Sequence, residues 1–397
     1  MRQAEGPVLM QAGPTNIGLA LSGGGIRAAI FHLGVIRRLA DEDLLERVSQ
    51  HSTVSGGSLV TAAIFARSRM RWPSSDDYRN RLYSDLRQLL TTTDLLTLRA
   101  VGWRGLVRFN RRLITHRARV LADMLEAQWG IASTIRDLPD RPHWWINTTC
   151  LETGKNWRFA KREMGDWQFG RHYDPPFRLA EAAAASAAVP YVIGALRLQV
   201  PPDGWYRTDP ATRQPLEKRS PPMTSVRLWD GGVYENLGLE SLYKPQQGLV
   251  GCDFLICCDA SGPLPDAFQS SPLGLLNGHL AGPRLFDVAS DQIRSLRARM
   301  FMAAVVDKRI DGAFLRIGNS VRDIDIKAGR KRPAETYDRF QSDQEVALAL
   351  RYPTDLRAIS AGEFDSIARH GYEIADAVLT AHSPDLFPTP FAWDGVK

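Results

Sequence analysis

Between residues 17 and 70 the chain alternates short apolar runs with longer amphipathic stretches. Residues 17–21 form a continuous apolar run that is long enough for a buried strand and too short for a helix. Residues 26–39 carry apolar side chains at helical spacing, residues 48–54 predict a second strand, and residues 57–70 predict a second helix. A glycine-rich turn precedes the first helix, and Ser55 precedes the second.

The rest of the chain continues this alternation. Further strands are predicted over residues 144–150, 157–159, 226–229, 253–258 and 313–317 and within 192–200, and further helices over 78–90, 179–188, 286–306 and 364–379 and within 94–126. The proline-rich residues 201–222 and the charged residues 322–339 are expected on the surface. Strands that alternate with helices favour an α/β protein with a largely parallel sheet.

The pattern contains no internal repeat and no linker sharp enough to divide the chain. We therefore predict a single domain over residues 17–385, between a flexible lead at residues 1–16 and a tail at residues 386–397. All of the motifs described below lie within residues 17–259, and residues 260–385 form a C-terminal third without a recognisable motif.

The G-G-G turn at residues 23–25 allows three interpretations. It can be a plain corner, because glycine permits sharp turns. It also matches the dinucleotide-binding pattern G-x-G-x-x-G/A, but that motif expects a carboxylate at the end of the next strand, which here ends in T-V-S. The third interpretation is an oxyanion hole, in which N–H groups at a helix N-terminus bind a negative oxygen beside a nucleophile. Ser55 occupies the nucleophile's position, so we favour the third.

Ser55 lies in T-V-S-G-G at residues 53–57, a G-x-S-x-G elbow with threonine in the first position. A serine nucleophile needs a base, and the sequence offers two candidates. His279, in the loop of residues 264–283, follows the Ser–Asp–His chain order. Asp230, in D-G-G directly after a strand, is expected at the same sheet edge as Ser55, because open α/β sheets place their sites at the carboxyl ends of strands.

Composition narrows the choice of compartment and partner only slightly. The 397 residues carry a formal net charge of +6, which permits a membrane surface or nucleic acid as partner and demands neither. We find no signal peptide and no apolar run long enough to span a bilayer, so we predict a cytoplasmic protein, peripheral at the inner face of the membrane at most. The four cysteines lack metal-ligand spacing, and we predict no metal.

Three of these motifs, in this order, resemble those of the patatin-like phospholipase family. G-G-G-I-R at residues 23–27 resembles its oxyanion segment, V-S-G-G at residues 54–57 its nucleophile elbow, and D-G-G at residues 230–232 its aspartate motif. The resemblance runs from about residue 17 to residue 259. It implies a three-layer α/β/α fold and a Ser–Asp dyad that uses no histidine, metal or other cofactor.

Carried over by position, the resemblance implies a role for each motif residue. Ser55 would be the nucleophile and Asp230 its base, and Arg27 would keep the glycine loop in shape. The implied oxyanion positions and the supporting glycines are Gly23, Gly24, Gly25, Gly57, Gly231 and Gly232. The chain departs from the family pattern at Thr53, which replaces the first elbow glycine, and at N-L-G in residues 236–238, where plant-type members carry N-N-P.

The implied activity is that of a lipid acyl hydrolase. It would cleave carboxylic esters of membrane phospholipids or lysophospholipids through the Ser55–Asp230 dyad. The first alternative is a hydrolase with a Ser–Asp–His triad through His279. The second is an effector or binding module on the same fold, which a protein or small-molecule activator would switch.

Residues 95–122 contain no acidic side chain and are rich in arginine. At helical spacing, apolar side chains fall on one face of this stretch and arginines on the other. We prefer a helix that packs on the core with a solvated arginine face. The alternative is docking on an anionic membrane surface, and nucleic acid is not predicted because no recognised binding motif is present. The candidate membrane-contact residues are Trp103, Arg104, Arg108, Arg111 and Arg112.

Overall fold

A computed structural model gives the structure of residues 15–95, 116–209, 214–264 and 282–393. Within these ranges the strands are β1 (Ile17–Leu21), β2 (Val48–Thr53), β3 (His143–Cys150), β4 (Asn156–Ala160), β5 (Glu163–Asp166), β6 (Gly170–Tyr173), β7 (Leu196–Gln199), β8 (Trp205–Thr208), β9 (Pro215–Arg219), β10 (Ser225–Asp230), β11 (Tyr243–Lys244), β12 (Gly248–Leu249), β13 (Phe254–Asp259) and β14 (Asp311–Arg316). The main helices are α1 (Gly25–Asp41), α2 (Gly56–Arg67), α3 (Tyr83–Thr92), α4 (Arg117–Trp129), α5 (Leu179–Ser186), α6 (Gly282–Val306), α7 (Val321–Lys327), α8 (Asp343–Arg351) and α9 (Ala361–His382).

The centre of the sheet is parallel. Strands β14, β13, β1, β2 and β3 are neighbours in that order and run in one direction. Leu19 and Leu21 of β1 belong to a large apolar cluster with α1, α2 and α9, whereas Ala20 belongs to a second cluster that includes Phe301 of α6. Because successive strand residues point to opposite faces, the sheet has an apolar core on each side. The predicted α/β/α fold is confirmed.

Beyond β3 the sheet continues with antiparallel strands in the order β4, β5, β6, β8 and β9. Residues 201–222 were predicted as an excursion on the surface, which holds for the exposed strand β9 but is wrong at the start of β8. Trp205 of β8 is fully buried. Pro215 is the first residue of β9, the last strand of this sheet order, where the missing N–H of proline is tolerated.

One edge of β3 pairs with two strands that run towards each other. Residues 143–146 of β3 pair with β2 in parallel, and Thr148, Thr149 and Cys150 pair with β10 in antiparallel orientation. The carboxyl ends of β2 and β10 therefore meet head-on at the middle of β3. The sequence analysis expected Asp230 at a common edge of parallel strands. The predicted direction of β10 was wrong. Because β10 runs opposite to β2, its carboxyl end still comes to lie beside the carboxyl end of β2.

Helices α1 and α9 cross at two glycines. A Cβ atom on Gly34 of α1 would fall far inside contact distance of the Ala368 carbonyl of α9, and one on Gly371 would do the same at the Phe31 carbonyl of α1. The two backbones therefore touch without side chains between them.

The C-terminal third contains the long helix α9 and a charged segment at residues 322–339. Ser360 opens α9 with a capping box to Glu363. Residues 322–339 lie mostly on the surface, as predicted, but Asp325 is fully buried and pairs with Arg330 at 3.7 Å and Arg332 at 2.9 Å. None of the helices in the described ranges combines the length and the apolar character that a membrane span needs.

Candidate active site

Ser55 is the residue at which β2 turns into α2. Its backbone has φ 48° and ψ −117°, which a residue with a side chain rarely adopts and which costs roughly 1–3 kcal/mol. A Cβ on Gly57 would lie 2.5 Å from the Leu21 carbonyl oxygen, so only glycine allows α2 to start this close to β1. Thr53 has no positive φ, which explains why threonine can replace the elbow glycine there.

Buried hydroxyl groups support the elbow. Ser186 Oγ of α5 accepts a hydrogen bond from the Ser55 N–H at 3.0 Å, donates one to the Asn147 carbonyl at 2.7 Å, and lies 2.8 Å from Ser58 Oγ. Ser186 was not predicted from the sequence. The feature that could have indicated it is its place as the single serine in the alanine run of residues 182–188.

The glycine turn brings the N-terminus of α1 beside the elbow. Gly24 and Gly25 have φ of 142° and 63°, which favour glycine. The Gly23 N–H already donates to the Asn236 carbonyl at 3.1 Å, whereas the described residues provide no such partner for the Gly24 or Gly25 N–H. A Cβ on Gly56 would meet the Gly25 carbonyl, so the turn and the elbow are in direct contact.

Arg27 is buried beneath the glycine turn. Its Nε donates to the Ala260 carbonyl at 3.4 Å and its Nη1 to the Tyr352 carbonyl. Burial lowers the pKa of Arg27 to about 10, and the charge of Asp259 opposes this shift. Arg27 thus ties the turn to the end of β13 and to the C-terminal third.

Asp230 is the last residue of β10, and its carboxylate is within hydrogen-bonding reach of the Ser55 hydroxyl. Its Oδ1 also accepts the Gly232 N–H at 2.7 Å. A Cβ on Gly231 would lie 2.6 Å from the Asn147 carbonyl oxygen, so glycine is needed where the chain leaves β10. Burial raises the pKa of Asp230 from 3.8 to about 7, although the hydrogen bonds from Gly232 and Ser55 oppose the shift.

One cleft of about 310 Å³ brings most of these residues together. Gly24, Arg27, Ser55, Asp230 and Gly232 line it, along with residues that the sequence analysis did not single out. The latter include Val189, Pro190, Val233, Asn236, Ser261, Phe286, Asp287, Ser290, Asp291, Arg294 and Thr354. The cleft therefore presents a hydroxyl, a carboxylate and a helix N-terminus to one bound molecule.

Residues 19–243 match the family of patatin-like phospholipases, and the match covers the glycine turn, the elbow and the D-G-G turn. The chain belongs to this family. A comparison with curated proteins found no match.

Solved structures show the same fold. Human GIVD cytosolic phospholipase A2 superposes with a TM-score of 0.55 at 14% identity, over 94% of this chain and 59% of that one. The same human enzyme in complex with methyl gamma-linolenyl fluorophosphonate and terbium chloride gives 0.52 at 14% identity, over 94% and 58%. This patatin-like chain thus spans less than two thirds of the length of those chains.

Some predicted residues lie outside the described ranges. His279 falls in residues 265–281, and Trp103, Arg104, Arg108, Arg111 and Arg112 fall in residues 96–115. Their roles stay predictions. In the part of the chain that the structure describes, no three His, Cys, Asp or Glu side chains form a group that could hold a metal ion.

Replacing Asp230 by asparagine should stabilise this patatin-like domain at neutral pH. The folded-state pKa of Asp230 is raised, so its contribution to stability is greatest below about pH 4 and is lost as the pH rises through about 7. Asparagine retains an oxygen for the Gly232 N–H without a buried charge. We expect a gain on the order of a few kcal/mol in unfolding free energy at about pH 8, measured by thermal unfolding.

The control is Asp338→Asn, which removes a carboxylate from an exposed position. It should change the melting temperature by less than the Asp230 variant does. If the Asp230→Asn protein melted at or below the wild-type temperature at about pH 8, it would contradict the conclusion that the buried charge of Asp230 destabilises the folded protein.

Proposed function

We propose that this chain is a lipid acyl hydrolase in which Ser55 is the nucleophile and Asp230 its general base. The observation that carries the proposal is the Ser55 hydroxyl against the buried Asp230 carboxylate, at the head-on ends of β2 and β10. Family membership supports the reaction class. The proposed substrate is a carboxylic ester of a phospholipid or lysophospholipid, met at a membrane surface.

In the proposed reaction, Ser55 Oγ attacks the ester carbonyl and its proton passes to Asp230. The oxyanion forms against the N–H groups of Gly24 and Gly25, which lie at the N-terminus of α1. Asp230 then gives the proton to the leaving alcohol, and a water molecule that Asp230 deprotonates hydrolyses the acyl-serine. Gly23, Arg27, Gly57, Gly231 and Gly232 shape the site, because their packing sets the backbone positions of the reacting groups.

The burial of Asp230 suits it to this role. An ordinary aspartate is too weak a base to take a serine proton efficiently, and a pKa near the working pH improves proton transfer. Its pKa of about 7 meets that condition without a histidine.

The direct test is product analysis with defined lipids. Purified protein is incubated with phosphatidylcholine and with lysophosphatidylcholine, and the released fatty acid is measured by mass spectrometry beside a Ser55→Ala sample. We expect release from at least one lipid with the wild type and none above background with the variant. Absence of free fatty acid with both lipids would overturn the proposed substrate class.

Activity should rise with pH through the pKa of Asp230. The base must be deprotonated, so kcat/KM on a soluble short-chain ester should increase about tenfold per pH unit below about pH 6 and level off above about pH 8. The measurement is kcat/KM across about pH 5 to about pH 9, with protein stability checked at each value. A profile that is flat down to about pH 5 would contradict a base of raised pKa.

A further inference from the structure

A second groove lies beside the cleft that contains Ser55. It has a volume of about 590 Å³, within the usual range for small-molecule sites. Its walls are α6, the end of β10 and the turn after β3. It is lined by Thr149, Cys150, Leu151, Gly154, Trp229, Val233, Tyr234, Ile293, Leu296, Arg297 and Met300.

The groove is apolar, apart from polar groups that have partners within the protein. Arg297 pairs with Glu240 at 3.2 Å, and the Tyr234 hydroxyl hydrogen bonds to the same carboxylate. In contrast, Leu296 and Met300 are 52% and 41% exposed although they are large apolar side chains. Apolar surface that lines a concave groove is typical of a site for an apolar ligand.

The groove and the cleft are adjacent. Val233, at the end of the short 3₁₀ helix that follows Asp230, lines both. Helix α6 also forms a wall of both: Ser290 and Arg294 face the cleft, whereas Ile293 and Leu296 face the groove. A molecule that reacts at Ser55 would reach the groove by passing Val233 along α6.

A lipid ester has a polar ester group and an apolar chain, and the two spaces differ in a similar way. More charged side chains line the cleft than the groove. The cleft contains the charged side chains of Arg27, Asp291 and Arg294, of which Arg294 pairs with Asp259 at 2.7 Å. In the described part of the chain, the groove has one charged side chain in its lining, Arg297, and this side chain is paired with Glu240. A hydrocarbon chain therefore matches the groove better than the cleft. We propose that the groove is the acyl-chain subsite of the enzyme and that Leu296 and Met300 set its preference for chain length. This rests on the proposed hydrolase function of the Ser55 cleft.

The proposal predicts a dependence of reactivity on chain length. Each methylene that leaves water for an apolar site improves binding roughly fourfold, until the groove is full. A longer chain should thus react faster at Ser55, and a charge placed in the groove should remove that advantage.

The test measures the inactivation of the protein by alkyl fluorophosphonates with butyl and decyl chains. Ser55 Oγ attacks phosphorus, the P–F bond breaks, fluoride leaves, and the hydroxyl proton passes to Asp230. Labelling of Ser55 is followed by intact-protein mass spectrometry, and the readout is the ratio of the decyl to the butyl second-order rate constant. The butyl rate serves as an internal reference for the folding and reactivity of Ser55 in each variant.

The test variant is Leu296→Glu combined with Met300→Glu. We expect its decyl-to-butyl ratio to be at least about tenfold below the wild-type ratio. The control is Val306→Glu, which adds one negative charge to α6 at a position that is 70% exposed and outside the groove. Its ratio should equal that of the wild type.

The outcomes separate this proposal from the proposed function. A wild type that is labelled at Ser55 without a preference for the decyl probe would overturn the subsite alone, as would a double variant that keeps the wild-type ratio. A wild type that neither probe labels at Ser55 would overturn the nucleophile assignment and the subsite with it.

Discussion

Replacing Ser55 by alanine should abolish ester hydrolysis by this protein. The reaction proposed above uses Ser55 as its nucleophile, because Ser55 combines the strained elbow with the Asp230 carboxylate. We expect kcat to fall by at least about 10⁴-fold, as in other serine hydrolases that lose a member of a catalytic unit. The measurement is fatty acid release under saturating lipid, with the melting temperature as a check of folding.

The Asp230→Asn variant should lose activity to a similar extent, and the double variant should be little worse than either single one. This follows because the two residues act as a unit, so the loss of one removes the benefit of the other. Ser290→Ala is a suitable control, since it removes a hydroxyl from the same cleft. Losses that multiply in the double variant would show that the two residues act independently.

Replacing Gly371 by valine should prevent stable folding. Its Cβ would overlap the backbone of α1 at Phe31, which belongs to a helix and cannot move away locally. Helices α1 and α9 would have to separate, and both contribute to the larger core. We expect a loss of more than about 4 kcal/mol in unfolding free energy, or insoluble protein, measured by thermal unfolding and by soluble yield.

Gly362→Ala provides the matched control in the same helix. A Cβ at Gly362 meets no atom within 4 Å, and the residue has no positive φ. Alanine there should raise stability by roughly 0.5–1 kcal/mol, because it lowers the entropy cost of forming the helix. If Gly371→Val melted like the wild type, the close crossing of α1 and α9 would be wrong.

The sequence predicted the parts of the fold that depend on local pattern. Strand β1, helix α1 and strand β2 follow from apolar periodicity, and so does most of α9, which was predicted over residues 364–379. The elbow at Ser55 and the turn after Asp230 follow from short motifs with fixed backbone demands. These features require no knowledge of which strands become neighbours.

Features that depend on distant partners were missed or misjudged. The direction of β10 is decided by its pairing with β3, and no local signal in residues 225–230 specifies it. Residues 201–222 resemble a loop because prolines interrupt them, yet a buried tryptophan at position 205 holds β8 in the sheet. The supporting role of Ser186 depends on a contact 131 residues away in the chain.

The head-on arrangement of β2 and β10 has a consequence for the order in which the candidate site is assembled during synthesis. The glycine turn, the elbow and strand β3 all leave the ribosome before β10, and domains form as the chain emerges. Until β10 pairs with the free half of β3, Ser55 has no carboxylate beside it and the cleft lacks a wall. In the proposed reaction, the nascent chain therefore lacks the base of Ser55 until β10 has been made and has paired with β3.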